Sequence, residues 1–104
     1  MEAFISTDKN LLIIGAGAEQ APAYKIAKEQ GIKTIATDSD HSAPSVTLAD
    51  YFINASTRDA EQTASMAKDF SKEIPIHGVM TIANDVPYTV SYTASELGLP
   101  SISN

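Results

Sequence analysis

At 104 residues, 43% apolar and 19% charged, the chain suffices for one domain around one modest core and is too apolar for wholesale disorder. A net charge of −6, with seven basic residues scattered singly, argues against nucleic acid or an anionic membrane as partner, and the lack of cysteine removes disulfides, thiolate nucleophiles and cysteine metal sites. No apolar run is long enough to span a membrane and the acidic N-terminus is no signal peptide, so a cytoplasmic protein is expected.

Residues 1–9 read as a loosely held leader, with Phe4 and Ile5 able to dock on the surface; the domain proper is 10–104. Asn10 to Ile14 is a strand whose unbroken apolar run implies burial on both faces, as in a parallel sheet. A Gly15-Ala-Gly17 turn follows. From Ala21 to Gln30 a helix is predicted, with Pro22 in its first turn and Ala23, Ile26, Ala27 and Gln30 as its packed stripe. Gly31 is its stop. Ile32 to Thr37 is the second strand, closed by Asp38.

Ser39 to Ser45 is polar and turn-rich, hence a loop; Val46 to Asp50 is one helical turn. Tyr51 to Asn54 is a short strand. Asp59 with Gln62 three positions on has capping-box spacing, and Ala60, Ala64, Ala67 and Phe70 mark the buried stripe of a helix running to Lys72. Gly78 to Ala83 is a fourth apolar strand. Asn84-Asp85 caps the next helix, whose inner face is Val86, Val90, Ala94 and Leu97 and whose stop is Gly98. Leu99 to Ile102 is a last strand. Strand and helix alternate with glycine stops, which predicts a three-layer α/β fold: a Rossmann-like open parallel sheet with right-handed crossovers. The chain stops just after its last strand, which suggests a domain boundary.

Candidate ligand residues gather at the carboxyl ends of the strands, the edge where open α/β sheets bind ligands. Gly15 and Gly17 fit the first two positions of the dinucleotide fingerprint, and Asp38 its acidic partner about 20 residues on. The third position is Gln20, where the fingerprint wants Gly or Ala, so the motif is damaged. Ala18 lies within the turn. Glu19 either meets a ligand or only complements the helix dipole; Gln20 could present its amide to a polar substrate. Asp38 either faces ligand or bonds its own loop backbone. Thr81, Asn84 and Asp85 share the same edge, and Asp85 is most simply a helix cap. Asp40 and His41 read as loop solvation. His77 has no second ligand at metal spacing, so no metal site is expected. Tyr88 and Tyr92 form one helical stripe suited to packing or an oligomer contact, and no catalytic nucleophile can be argued.

The run Gly15-Ala-Gly-Ala-Glu-Gln-Ala-Pro22 is followed by Ala27-Lys28-Glu-Gln-Gly31, Asp38, Ala43-Pro44, Leu48-Ala49-Asp50 and Ser56-Thr57-Arg-Asp59. Then come His77-Gly78-Val79, Thr81, Asp85-Val86-Pro87 and Leu97-Gly-Leu-Pro100. Together, over residues 10–103, these resemble the N-terminal pre-ATP-grasp domain of ATP-grasp ligases, the carbamoyl-phosphate-synthase-like and phosphoribosylglycinamide-synthetase-like members in particular. The resemblance implies an ATP-dependent ligase that joins a carboxylate to an amine or other nucleophile through an acyl-phosphate. It implies that ATP and Mg2+ are held by later ATP-grasp domains, which the 104 residues lack, so the fragment alone has no cofactor, no catalytic residue and no activity. Gly15, Gly17, Glu19 and Gln20 would line the side facing a small carboxylate or amine substrate, with Asp38 and the Thr81–Asp85 edge beside them. Two other readings stand next to it: an NAD(P)-binding Rossmann module, which Gln20 disfavours, and a non-catalytic α/β domain that forms a homodimer.

Overall fold

The computed structural model describes residues 9–82, 87–99 and 101–103. Five strands, β1 (Asn10–Ile14), β2 (Lys33–Asp38), β3 (Tyr51–Asn54), β4 (Gly78–Thr81) and β5 (Ser101–Ser103), form one sheet in the order β3-β2-β1-β4-β5. Every pairing is parallel, with Leu12 opposite Ile35 on one side and Val79 on the other. Three helices connect them: α1 (Ala21–Glu29), α2 (Ala60–Ser71) and α3 (Pro87–Leu97). The Rossmann-like α/β architecture expected from the sequence is the one observed.

Strand β1 is central, and its Leu12, Ile13 and Ile14 are fully buried because both faces are covered. Leu12, Ile14, Ile35 and Val79 pack with Ala67 of α2 and with Val90 and Ala94 of α3. Ile13 and Ala36 pack on the opposite face with Tyr24 of α1. The chain thus winds one way from β1 to β2 and the other way from β4 to β5. The reversal falls between β1 and β4, and the glycine turn leaves β1 at that point.

Local signals account for most boundaries. Helices α1 and α3 both end in Schellman pairs on the predicted stops: Ile32 N–H donates to Ala27 O and Gly31 N–H to Lys28 O, as Leu99 does to Ala94 and Gly98 to Ser95. Asp59 caps α2 by accepting from Gln62 N at 3.0 Å. The reciprocal half of the box goes elsewhere, since the Gln62 amide oxygen accepts from Ser56 N at 2.8 Å. His77, at the opposite edge of the sheet, accepts the first N–H of β1 on Nδ1 at 2.9 Å, which fixes its remaining proton on Nε2.

Three expectations are corrected. The buried stripe of α1 runs from Gln20, just before the helix, through Tyr24 and Ala27, with Ala23 half-buried against the same cluster, whereas Ile26 is 58% exposed and Gln30 is exposed. Spacing of i, i+4, i+7 holds, but it starts from a glutamine and a tyrosine that an apolar pattern passes over. The turn assigned to Val46–Asp50 is a 3-10 segment at Pro44–Leu48, begun by the proline, and it takes in the end of the supposed loop. The last strand starts at Ser101 rather than Leu99, which closes the α3 stop. The leader up to Asp8, and Asn84-Asp85 with Val86, lie outside the described residues.

Candidate ligand site at the glycine turn

The turn after β1 is fixed from behind by groups of four segments. Gly15 has φ +103°, and a Cβ there would stand 2.9 Å from Gln20 Nε2, so both backbone and space demand glycine. Its N–H donates to Thr37 O at 3.0 Å. Its carbonyl accepts from Tyr24 Oη at 2.8 Å. Burial, aided by the charge of Asp38, pushes the Tyr24 phenol well above its ordinary range, so it remains a donor at all physiological pH.

Gln20, placed by the sequence reading among substrate contacts, is 1% exposed. Its Nε2 donates to Thr81 Oγ1 at 3.0 Å and to Ile14 O at 3.3 Å, and its Oε1 accepts from Ile82 N at 3.3 Å. Thr81, also 1% exposed, donates to Ile14 O at 2.9 Å. These two side chains fasten the end of β1 to the end of β4 across the reversal point. The damaged fingerprint has a physical account: where a small residue would let helix and strand touch, an amide fills the gap and satisfies the frayed strand ends.

Asp38 sits at the end of β2, half-buried. Its Oδ2 accepts from Ala16 N at 3.1 Å and its Oδ1 from Asp40 N at 3.0 Å. The loop-bonded alternative weighed for Asp38 is therefore present, with a second bond that reaches the turn. Ser45 adds a clamp that no sequence signal marked: its N–H donates to Ala16 O at 2.7 Å and its Oγ to Gly17 O at 2.9 Å. Asp40 is exposed and holds Ser42 through N–H and hydroxyl, which lowers its carboxyl below the ordinary value. It stays within its own loop.

The front of the turn is different. Gly17 has φ −67° and ψ 171°, extended backbone open to any residue. What occupies the space of a Cβ there is the Glu19 carboxylate, 2.6 and 2.8 Å from that position. Ala18 and Glu19 are exposed, and the N–H groups opening the 3-10 segment Ala18–Gln20 have no carbonyl within it to bind. Ala18 and Glu19 are thus the predicted residues at the surface, Gly15, Gly17 and Asp38 are half-buried, and Gln20 and Thr81 support the turn from inside; Asn84 and Asp85 lie outside the described residues. Hollows of about 200 to 360 Å³ lie elsewhere, between α2 and α3, beside α1, along β3 and at the amino edge of the sheet beside His77.

A family model described as the PylC-like N-terminal domain matches residues 11–96. The chain belongs to this family. It is a pre-ATP-grasp domain, the N-terminal unit of ATP-grasp ligases. Phosphoribosylglycinamide synthetase from Anaerococcus prevotii is similar at 31% identity and a TM-score of 0.77, over 89% of this chain and 23% of that one. N5-carboxyaminoimidazole ribonucleotide synthetase in its ADP complex is similar at 27% identity and 0.69, over 88% and 23%. The L-amino acid ligase from Bacillus licheniformis shares the fold, at 22% identity and 0.69, over 92% and 25%. No curated protein matches. The pre-ATP-grasp domain described here thus spans about a quarter of the length of these structural relatives.

Proposed function

We propose that this pre-ATP-grasp domain is the substrate-side wall of an ATP-dependent ligase. Such a ligase moves the terminal phosphoryl group of ATP to a substrate carboxylate, and an amine then displaces phosphate from the acyl-phosphate. The observation that carries the reading is the division of the glycine turn: its back is fastened to β1, β2, β4 and the Ser45 loop, and its front presents Gly17, Ala18 and Glu19. A wall fixed before its ligand arrives is what substrate orientation requires. The Glu19 carboxylate over Gly17 selects for a hydrogen-bond donor at that point, an ammonium or a hydroxyl of the substrate, rather than a bare phosphate. Asp38, Asn84 and Asp85 complete the substrate edge in this reading.

ATP and Mg2+ belong to segments outside these 104 residues. Among the described residues no group of three or more His, Asp and Glu is arranged to hold a metal ion. No described helix is long and apolar enough to cross a membrane. The 104-residue chain alone is therefore expected to leave ATP intact.

The test is ADP release by the intact gene product, supplied with Mg-ATP and a panel of carboxylates and amines. ADP formed only when a carboxylate and an amine are both present supports the reading, and Gly17→Val should lower that rate at least tenfold. Micromolar binding of NAD(H) or NADP(H) without ADP formation would replace it with the dinucleotide reading.

A further inference from the structure

The two helical layers of the sheet are unequal. On the α2/α3 face every strand from β3 to β4 is roofed, and Leu12, Ile35 and Val79 are completely buried. On the other face α1 and the Pro44–Leu48 segment pack over β1, β2 and β3, with Tyr24 and Ala43 as their buried contacts. No described helix covers β4 there. The result is a groove of about 260 Å³ between α1 and β4, lined by Leu11, Ala23, Ile26, Ile32, Met80 and Ile82. Ile26, at 58% exposure, stands on its rim. An apolar groove beside an exposed isoleucine is costly to leave in water and marks a contact surface.

We propose that this groove receives an apolar helical segment that follows residue 104 in the intact protein, and that this segment completes the α1 layer. The proposal rests on the reading of the chain as the N-terminal unit of a longer ligase. Two observations choose this occupant. The similar solved proteins are about four times as long, since the match takes up 23% of each of the first two described above. The outermost strand on the bare side is β5, which pairs in parallel with β4, Met80 opposite Ile102. The chain therefore leaves β5 at the carboxyl edge, beside Ile82 on the groove rim. A right-handed crossover to any further strand past β5 would place its helix on the α2/α3 face. A segment that folds back over β5 and β4 instead meets the groove directly. It would carry Leu, Ile or Met at helical spacing against Ile26 and Met80, as an amphipathic helix does.

The test uses the intact gene product and two substitutions one position apart on α1, Ile26→Asp and Lys25→Asp. With the groove filled, Ile26→Asp should lower the melting temperature by several degrees while Lys25→Asp leaves it within about one degree. Amide exchange in Ala23–Ile32 should also quicken at least tenfold in Ile26→Asp alone. Equal, small shifts for both variants would overturn the proposal. So would a fully folded dimer that Ile26→Asp converts to monomer, which would make a second copy the occupant. Deletion of residues 1–8 that by itself opens the same amides to exchange would overturn it in favour of the N-terminal segment. ADP release is measured in the same samples: ligation with an open groove removes this proposal and leaves the function, and a protected groove without ligation does the reverse.

Discussion

Gly15 and Gly17 are two residues apart in one turn, and the structure uses them for opposite ends. Gly15 has a backbone angle that side-chain-bearing residues avoid and an amide nitrogen packed where its Cβ would be. Gly17 has ordinary extended backbone, and the nearest atoms to a Cβ there belong to the Glu19 carboxylate. The first is a glycine because of what lies behind it, whereas the second has the Glu19 carboxylate in front of it. Position in a motif therefore does not assign a role; the surrounding contacts do.

Substitutions can break or sharpen that contrast, and a core residue sets the upper end of the scale. Val79 is fully buried in β4, so Val79→Asp should cost more than about 4 kcal/mol and abolish cooperative melting. Gly15→Val combines a strained angle with overlap on Gln20, and denaturant titration should show a loss of about 2–4 kcal/mol. Gln20→Leu leaves the Ile82 N–H without its acceptor and should cost about 1–3 kcal/mol in the same titration. If Gly15 is governed by Gln20, the double change Gly15→Ala with Gln20→Ala should cost less than the sum of its parts.

Tyr24→Phe removes the bond to Gly15 O and should cost about 1 kcal/mol at neutral pH. Its pH dependence has a definite sign. Burial first, and then Asp38, raise the phenol pKa in the folded chain above the ordinary value near 10. The stability that this group gives is complete below pH 10 and is lost as pH rises beyond it. The gap between wild type and Tyr24→Phe should accordingly narrow above pH 10 in alkaline melting curves. The smallest change in stability belongs to Gly17→Val, within about 0.5 kcal/mol, though it is the variant expected to lower ligation. An equal loss of stability at Gly15 and Gly17 would erase the distinction between the two sides.

Much of this architecture is readable from the residues. Unbroken apolar runs such as Leu11–Ile14 mark parallel strands, and Gly31, Gly98 and Asp59 mark helix ends, because those signals are local and chemical. The inner face of α1 is not legible in that way. Tyr24 is buried because its hydroxyl finds Gly15 O, and Gln20 because its amide finds three partners, none of them predictable before β1, β4 and the turn come together. Ile26 errs in the opposite direction: an isoleucine at helical spacing looks like core, and here it faces a groove that α1 itself does not fill. Ser45 is the plainest omission, since a serine after Ala-Pro carries no sign that it will hold a carbonyl 28 residues away.

Under the proposed function, that Ser45 contact, with the turn's bonds to Thr37 and Asp38, bears on the heat of substrate recognition. A turn already ordered loses little freedom when a ligand is captured, so calorimetry on the intact protein should find a small entropic penalty at this wall. The loop from Ser39 to Leu48, though it lies off the glycine motif, would then regulate affinity by its length: one inserted residue there would loosen the wall and appear as a faster off-rate.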